Sequence, residues 1–133
     1  MRKMNSNTKT IIFVACLLLI IIISGILTLS YLNFTANKLE YSVKAAGVSV
    51  SNNQWDSAEQ QLKAFENYWE KTKIGWAILL DHFEVDNINN SFIKSRKYVE
   101  SKDFSSALAE LEALRQYILH IPKKEEFSLE NIL

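Results

Sequence analysis

The sequence predicts an all-α protein: an N-terminal transmembrane helix followed by a small antiparallel helical bundle made of two stacked helical hairpins. Three observations predict it. Residues 11–32 carry no charge. Beyond them, apolar residues recur at steps of three and four, the spacing that lines one face of a helix. Three glycines and one proline in 133 residues are too few for the turns of a sandwich or a barrel.

The uncharged run, IIFVACLLLIIIISGILTLSYL, is 22 residues long. At about 1.5 Å per residue it reaches roughly 33 Å, enough to cross a hydrocarbon core of about 30 Å. A core helix of a soluble domain would show a polar face, and this run has none. Arg2, Lys3 and Lys9 precede it without an accompanying acid. Cationic flanks stay in the cytoplasm, so residues 1–10 read as a cytoplasmic N-terminus, 11–32 as the transmembrane helix and 33–133 as an extracytoplasmic helical domain. Tyr31 and Phe34 stand where interfacial aromatics are favoured. A cleaved secretory signal has an apolar core of about 7 to 15 residues, shorter than this one, and Thr28-Leu29-Ser30 makes a poor cleavage site. Phe13-Val14-Ala15-Cys16 has the outline of a lipoprotein site, yet the apolar run continues past the cysteine. The expectation is a signal-anchor held in the cell membrane.

Setting Arg2, Lys3 and Lys9 aside leaves 12 basic against 15 acidic residues. A mildly acidic domain argues against nucleic acid, which selects a basic footprint. Cys16, the sole cysteine, lies inside the apolar run, so packing rather than disulfides must hold the remainder.

The remainder reads as four helical stretches. Leu39, Val43, Ala46 and Val50 line one face of the first. Ser51-Asn52-Asn53-Gln54 breaks it, with Asn53 as the expected N-cap of the next. Trp55, Ala58, Leu62, Phe65 and Trp69 stripe the second, and Lys71-Thr72-Lys73 with Gly75 predicts its end. The third is expected from Trp76 to Glu100, with Asp81 falling on the apolar stripe formed by Ile74, Ile78, Val85, Ile88, Phe92, Ser95 and Val99. Asp103 caps the fourth, which Pro122 should end near His120.

These stretches repeat at an offset of 49 residues. Leu39, Val43, Ala46, Val50, Trp55, Ala58, Leu62, Phe65 and Trp69 correspond to Ile88, Phe92, Ser95, Val99, Phe104, Ala107, Leu111, Leu114 and Ile118. Each copy is a helix, a short turn, an aromatic, then Ala-x-x-x-Leu: an antiparallel hairpin whose aromatic covers the turn and whose alanine lets the helices approach. The turn and second helix resemble the hairpin of tetratricopeptide repeats, although the spacing exceeds the 34 residues of that family.

Asp81-His82-Phe83-Glu84-Val85-Asp86 is the densest polar segment. His82 and Asp86, four apart, share a helix face, as helical metal ligands do, and His120 could complete a metal or acid/base site. The competing reading is a structural polar network of Asp81, His82, Glu84, Asp86 and His120, and it carries more weight, because one His-x-x-x-Asp pair is a common pattern. Trp55, Phe65, Tyr68, Trp69, Trp76 and Phe83 are expected in the core rather than on a binding platform. Lys94-Ser95-Arg96-Lys97 reads as a solvated face in preference to a lipid contact. Serines occur in no nucleophile-elbow pattern, and no glycine-rich loop is present to cradle phosphate. No catalytic residue and no cofactor is expected. Phe127, Leu129, Ile132 and Leu133 form an apolar tail, with Ser128 capping a last turn; the tail docks on the bundle or on a partner.

Trp55 to Glu59, Trp76 to Asp86 and the ending His120-Ile121-Pro122 through Ser128-Leu129-Glu130-Asn131-Ile132-Leu133 together resemble a family of small single-pass membrane proteins of spore-forming Gram-positive bacteria, catalogued as a domain of unknown function. The resemblance implies an anchored helical domain and assigns no activity. The expectation is a non-catalytic protein-interaction module at the cell envelope, contacting an envelope protein or another copy of itself. Its rival is a ligand- or metal-sensing domain with a polar site around Asp81–Asp86 and His120.

Overall fold

The computed structural model describes Lys3 and residues 5–132. Arg2 of the cationic flank and Leu133 of the tail lie outside the described residues. Among the described residues four helices follow one another: α1 (Ser6–Ser51), α2 (Trp55–Leu79), α3 (His82–Glu100) and α4 (Phe104–Ile132). The connections are too short for anything but antiparallel neighbours. α1 packs on α2 and α4, and α3 packs closely on α4 and more loosely on α2. The all-α expectation of two stacked hairpins, preceded by a long apolar helical segment, is what the chain forms.

α1 is one helix of 46 residues and passes through positions 32 and 33 without a break. Its first half is a stalk, and the most apolar stretch of that stalk has no residue buried by the rest of the chain. Its second half supplies Leu32, Ala36, Leu39, Val43, Ala46 and Val50 to the core. Nothing in the local sequence terminates a helix between Leu32 and Leu39, so the apolar run and the first bundle helix fuse.

The 49-residue repeat is visible in atomic detail at the end of the bundle far from the stalk. Asn53 and Lys102 both adopt φ of 55°, the left-handed conformation that closes a helix. The Gln54 N–H donates to the Ser49 carbonyl at 2.8 Å, and the Asp103 N–H donates to the Tyr98 carbonyl at 2.9 Å. Each turn thus closes with the same six-residue bond. Asn53 is this left-handed residue, not the N-cap of α2; that position falls to Gln54. Asp103 does cap α4, its Oδ1 accepting from the Ser106 N–H at 3.1 Å. Asparagine tolerates the left-handed region and lysine does so less readily, since a Cβ there costs about 1–2 kcal/mol. Lys102→Gly is therefore expected to raise stability by about 1 kcal/mol in a urea titration followed by tryptophan fluorescence. Asn53→Gly should gain less.

Helix ends are where the structure departs most from the expected pattern. α2 does not stop at Gly75 but continues to Leu79, and α3 begins at His82 rather than Trp76. Leu80 and Asp81 are extended, and Asp81 is the N-cap, its Oδ1 accepting from the Phe83 N–H at 3.4 Å. The carboxylate expected on a buried stripe is therefore an exposed cap, with Glu84 three residues on as in a capping box. The break also shifts the register, so Ile74 and Ile78 leave the core and are exposed. Gly75 serves instead as a packing position: a Cβ there would meet the hydroxyl of Tyr31 of α1, which would have to shift.

Pro122 sits inside α4 and does not end it. A helical proline forfeits one backbone hydrogen bond and crowds the preceding turn. Here the helix continues because its last turns have a surface to cover: a Cβ on Gly25 of the stalk would come within 2.8 Å of Leu129. Ser128 lies within the helix rather than capping it, its Oγ donating to the Lys124 carbonyl at 3.1 Å.

The core is aromatic at its centre. Phe65 stacks on Phe92 with centroids 5.0 Å apart, and Trp69 meets Trp76 edge-on at 5.6 Å. Both indoles are satisfied: Trp69 Nε1 donates to Asn89 Oδ1 at 2.6 Å and Trp76 Nε1 to Thr35 Oγ1 at 2.8 Å. Ser95, the one polar member of the repeat, is wholly buried and its hydroxyl has no hydrogen-bond partner among the described residues. An unpaired buried hydroxyl costs about 1–3 kcal/mol, so Ser95→Ala, which restores the residue found at the equivalent Ala46, is expected to stabilise by about 1 kcal/mol. A urea midpoint unchanged or lowered by this substitution would contradict that assignment.

Candidate functional site

The polar segment expected to carry chemistry ends as a helix start. Asp81 is spent on capping, and His82, Asp86 and His120 are all exposed. Glu84 pairs across the seam with Lys124, Nζ to Oε1 3.0 Å. That carboxylate, first through its hydrogen bond and then through its charge, holds the Lys124 ammonium above the ordinary lysine value of 10.5. Because the folded pKa is the raised one, the pair's contribution is complete below 10.5 and fades as pH climbs past it. Among the described residues, no group of three or more His, Cys, Asp or Glu is placed to hold a metal ion. His82, Asp86 and His120 are thus not gathered into one three-ligand site.

Two surfaces stand out instead. The first is the loose seam between α2 and α3, which opens into a groove of about 580 Å³. Asp56, Glu59, Glu66 and Glu100 line it with Lys63 and Arg96, over a floor that includes Leu62. Arg96 spans the seam, 3.1 Å from Glu66 of α2 and 3.8 Å from Glu100 of its own helix. Its guanidinium also lies 5.5 Å from the Phe92 ring centroid. The basic run that looked like a uniform solvated face is split by the helix: Ser95 points into the core, Arg96 onto the seam, and Lys94 and Lys97 into solvent. Sequence spacing could not show this groove, because acids from α2 and a base from α3 meet only once the hairpins stack.

The second surface is the stalk end. The α4 tail runs beside the stalk, and Glu125, Ser128, Leu129 and Ile132 face Ile22, Gly25, Thr28 and Leu29 across a shallow cleft of about 280 Å³. Of the expected tail residues, Leu129 is half-buried on the stalk, whereas Phe127 and Ile132 remain exposed. The aromatic platform is not assembled: Phe65, Trp69 and Trp76 are core, Trp55 and Tyr68 are half-buried and Phe83 is exposed.

No curated protein and no solved structure matches the chain. A family model does, over residues 26–132, which takes in the end of the stalk, the whole bundle and the tail. The chain therefore belongs to the family described as a domain of unknown function, DUF4363.

Proposed function

We propose that this chain is a membrane-anchored helical module of the cell envelope that acts by contacting another protein rather than by catalysis. The carrying observation is the α1 rod. One uninterrupted helix has a first half whose most apolar stretch has no residue buried by the chain, touched only near its upper end by the α4 tail, and a second half that is bundle core. Exposed to water, some twenty apolar residues would be prohibitively costly at about 25 cal/mol per Å², so lipid is their natural surrounding. Lys3 and Lys9 at the start of the rod support a cytoplasmic N-terminus with the bundle outside. The resemblance to single-pass proteins of spore-forming Gram-positive bacteria supports the same placement.

The α2–α3 groove is the contact surface in this reading. It is lined by four acids against two bases, with Leu62 the one apolar residue among them, and lies where the two hairpins hold each other least. An amphipathic helix with a basic face matches it, supplied by an envelope protein or by a second copy of the chain.

Photo-crosslinking of the full-length protein in its native membrane tests this. A photoreactive residue in place of Glu59 should capture a recurring protein adduct, diminished by Arg96→Glu. Adducts with lipid alone would refute the proposal. Protease applied to intact cells should remove the bundle and spare a tag on Met1; the opposite pattern would reverse the orientation.

A further inference from the structure

The two ends of the bundle differ in kind. At the far end the turns are Ser51-Asn52-Asn53-Gln54 and Ser101-Lys102-Asp103, all polar. At the stalk end the α2–α3 connection is flanked by Ile74, Ile78, Leu79 and Phe83, exposed by 66, 79, 41 and 69%. Phe127 of the α4 tail is exposed by 67% at the same end. Large apolar side chains concentrated at one tip, with none needed there for packing, mark a surface that meets something apolar.

The height of that tip along α1 identifies what it meets. Gly75 lies against Tyr31, and Trp76 bonds to Thr35, so α2 passes residue 31 just before its last turn. Ile78, Leu79 and Phe83 therefore hang beside the last turn of the apolar run. From Ser6 to Leu32 the rod measures roughly 40 Å at about 1.5 Å per residue, close to the full thickness of a bilayer with its headgroups, about 40–45 Å. The tip then falls in the outer headgroup layer and the boundary of the acyl chains. Tyr31 and Phe34 stand at that level on α1, and Lys38 lies 5.1 Å from the Phe34 ring. The α4 tail reaches lower than the α2–α3 tip, its Glu125, Ser128, Leu129 and Ile132 lining the cleft against Ile21 to Leu29.

We infer that the stalk end of the bundle is a lipid-seated collar, with the α2–α3 tip at Ile74, Ile78, Leu79 and Phe83 inserted into the outer leaflet beside the anchor. The inference rests on the anchored reading above and adds a second membrane contact. Two contacts fix the tilt and rotation of the bundle, which one helix alone leaves free. They also hold the α2–α3 groove at a constant height above the lipid. Wedged apolar side chains of this kind bury about 5–10 Å into the headgroup boundary.

The test uses full-length protein with Cys16→Ala, carrying a single environment-sensitive fluorophore and reconstituted into phosphatidylcholine–phosphatidylglycerol vesicles. Labels are placed through Ile78→Cys at the tip, Val48→Cys near the far end and Ile20→Cys in the stalk; all three parent residues are exposed within the chain. A label at position 78 is expected to show blue-shifted emission and loss of intensity to lipid bearing a nitroxide near the headgroup, with little loss to aqueous iodide. Position 48 should show the reverse, and position 20 should be quenched by a deep nitroxide. If position 78 behaves like position 48 while position 20 stays in lipid, the collar is refuted and the anchor stands. If positions 20 and 78 are both quenched from water, the anchored reading itself fails. A label at 78 shielded from both quenchers would mean a protein contact and would also refute the collar.

Discussion

Trp76→Ala is expected to cost about 3–5 kcal/mol, a large share of the about 5–15 kcal/mol that holds a domain of this size. Three losses coincide at this side chain. It is fully buried, it meets Trp69 edge-on, and its indole N–H is the donor that Thr35 Oγ1 accepts. Thr35 already gives its own proton to the Tyr31 and Leu32 carbonyls, so its remaining lone pair has no second donor once the indole is gone. Trp76→Phe separates the terms, keeping most of the packing and losing the bond, with an expected cost of about 1–3 kcal/mol. Thr35→Val strands the indole N–H and should cost a similar amount. Urea titration of each variant, read on the tryptophans left in α2, measures all three. A Trp76→Ala stability within about 1 kcal/mol of the parent would show that neither its burial nor its bond to Thr35 carries this end of the bundle.

The second large effect is expected at the paired alanines. Ala58 and Ala107 occupy equivalent places in the two hairpins and both are fully buried. Ala58→Leu and Ala107→Leu each insert three heavy atoms where the helices run closest to their turns. Overpacking of this kind costs about 1–3 kcal/mol and occasionally more. The same change at Ala109, on the exposed face of α4, should stay within about 0.5 kcal/mol. Combining Ala58→Leu with Ala107→Leu tests the architecture further. Two separate hairpins sharing one core should lose more than either alone, with the bundle no longer melting as one unit. Equal tolerance at positions 58, 107 and 109 would remove the basis for reading the repeat as two close-packed hairpins.

If the collar and the anchor both hold, the geometry suggests how such a domain could serve recognition. The bundle would stand on two supports with its groove facing sideways, above the lipid and parallel to the helices. A partner's basic amphipathic helix would then meet it at a fixed height and orientation. The electrostatic part of that encounter would weaken with salt, as exposed charges are screened beyond about 8–10 Å at physiological ionic strength.

Much of this architecture was legible in the residues. A period of three and four singles out the core, and Leu39, Val43, Ala46, Val50, Ala58, Leu62, Phe65 and Trp69 are buried, as are their partners from Ile88 to Ile118. The internal repeat identified the hairpins because both copies solve one problem, burying an apolar stripe against a neighbour through a tight turn. Helix ends were another matter. Gly75 looked like a stop and is a packing residue under Tyr31; Pro122 looked like a stop and lies within α4; Asp81 fell on an apolar stripe and is an exposed cap. Local signals for termination are worth about 1–3 kcal/mol, and a helix that can cover a neighbour's surface regains that much by continuing. The groove at Glu66 and Arg96 and the pair Lys124–Glu84 join residues 30 and 40 positions apart. Such juxtapositions depend on which helix lies beside which, and stacking decides that, not periodicity. The residues by themselves settled what is buried and that it is helical; the tertiary structure decided where each helix stops and which charges meet, because those depend on surfaces that exist only after the hairpins pack.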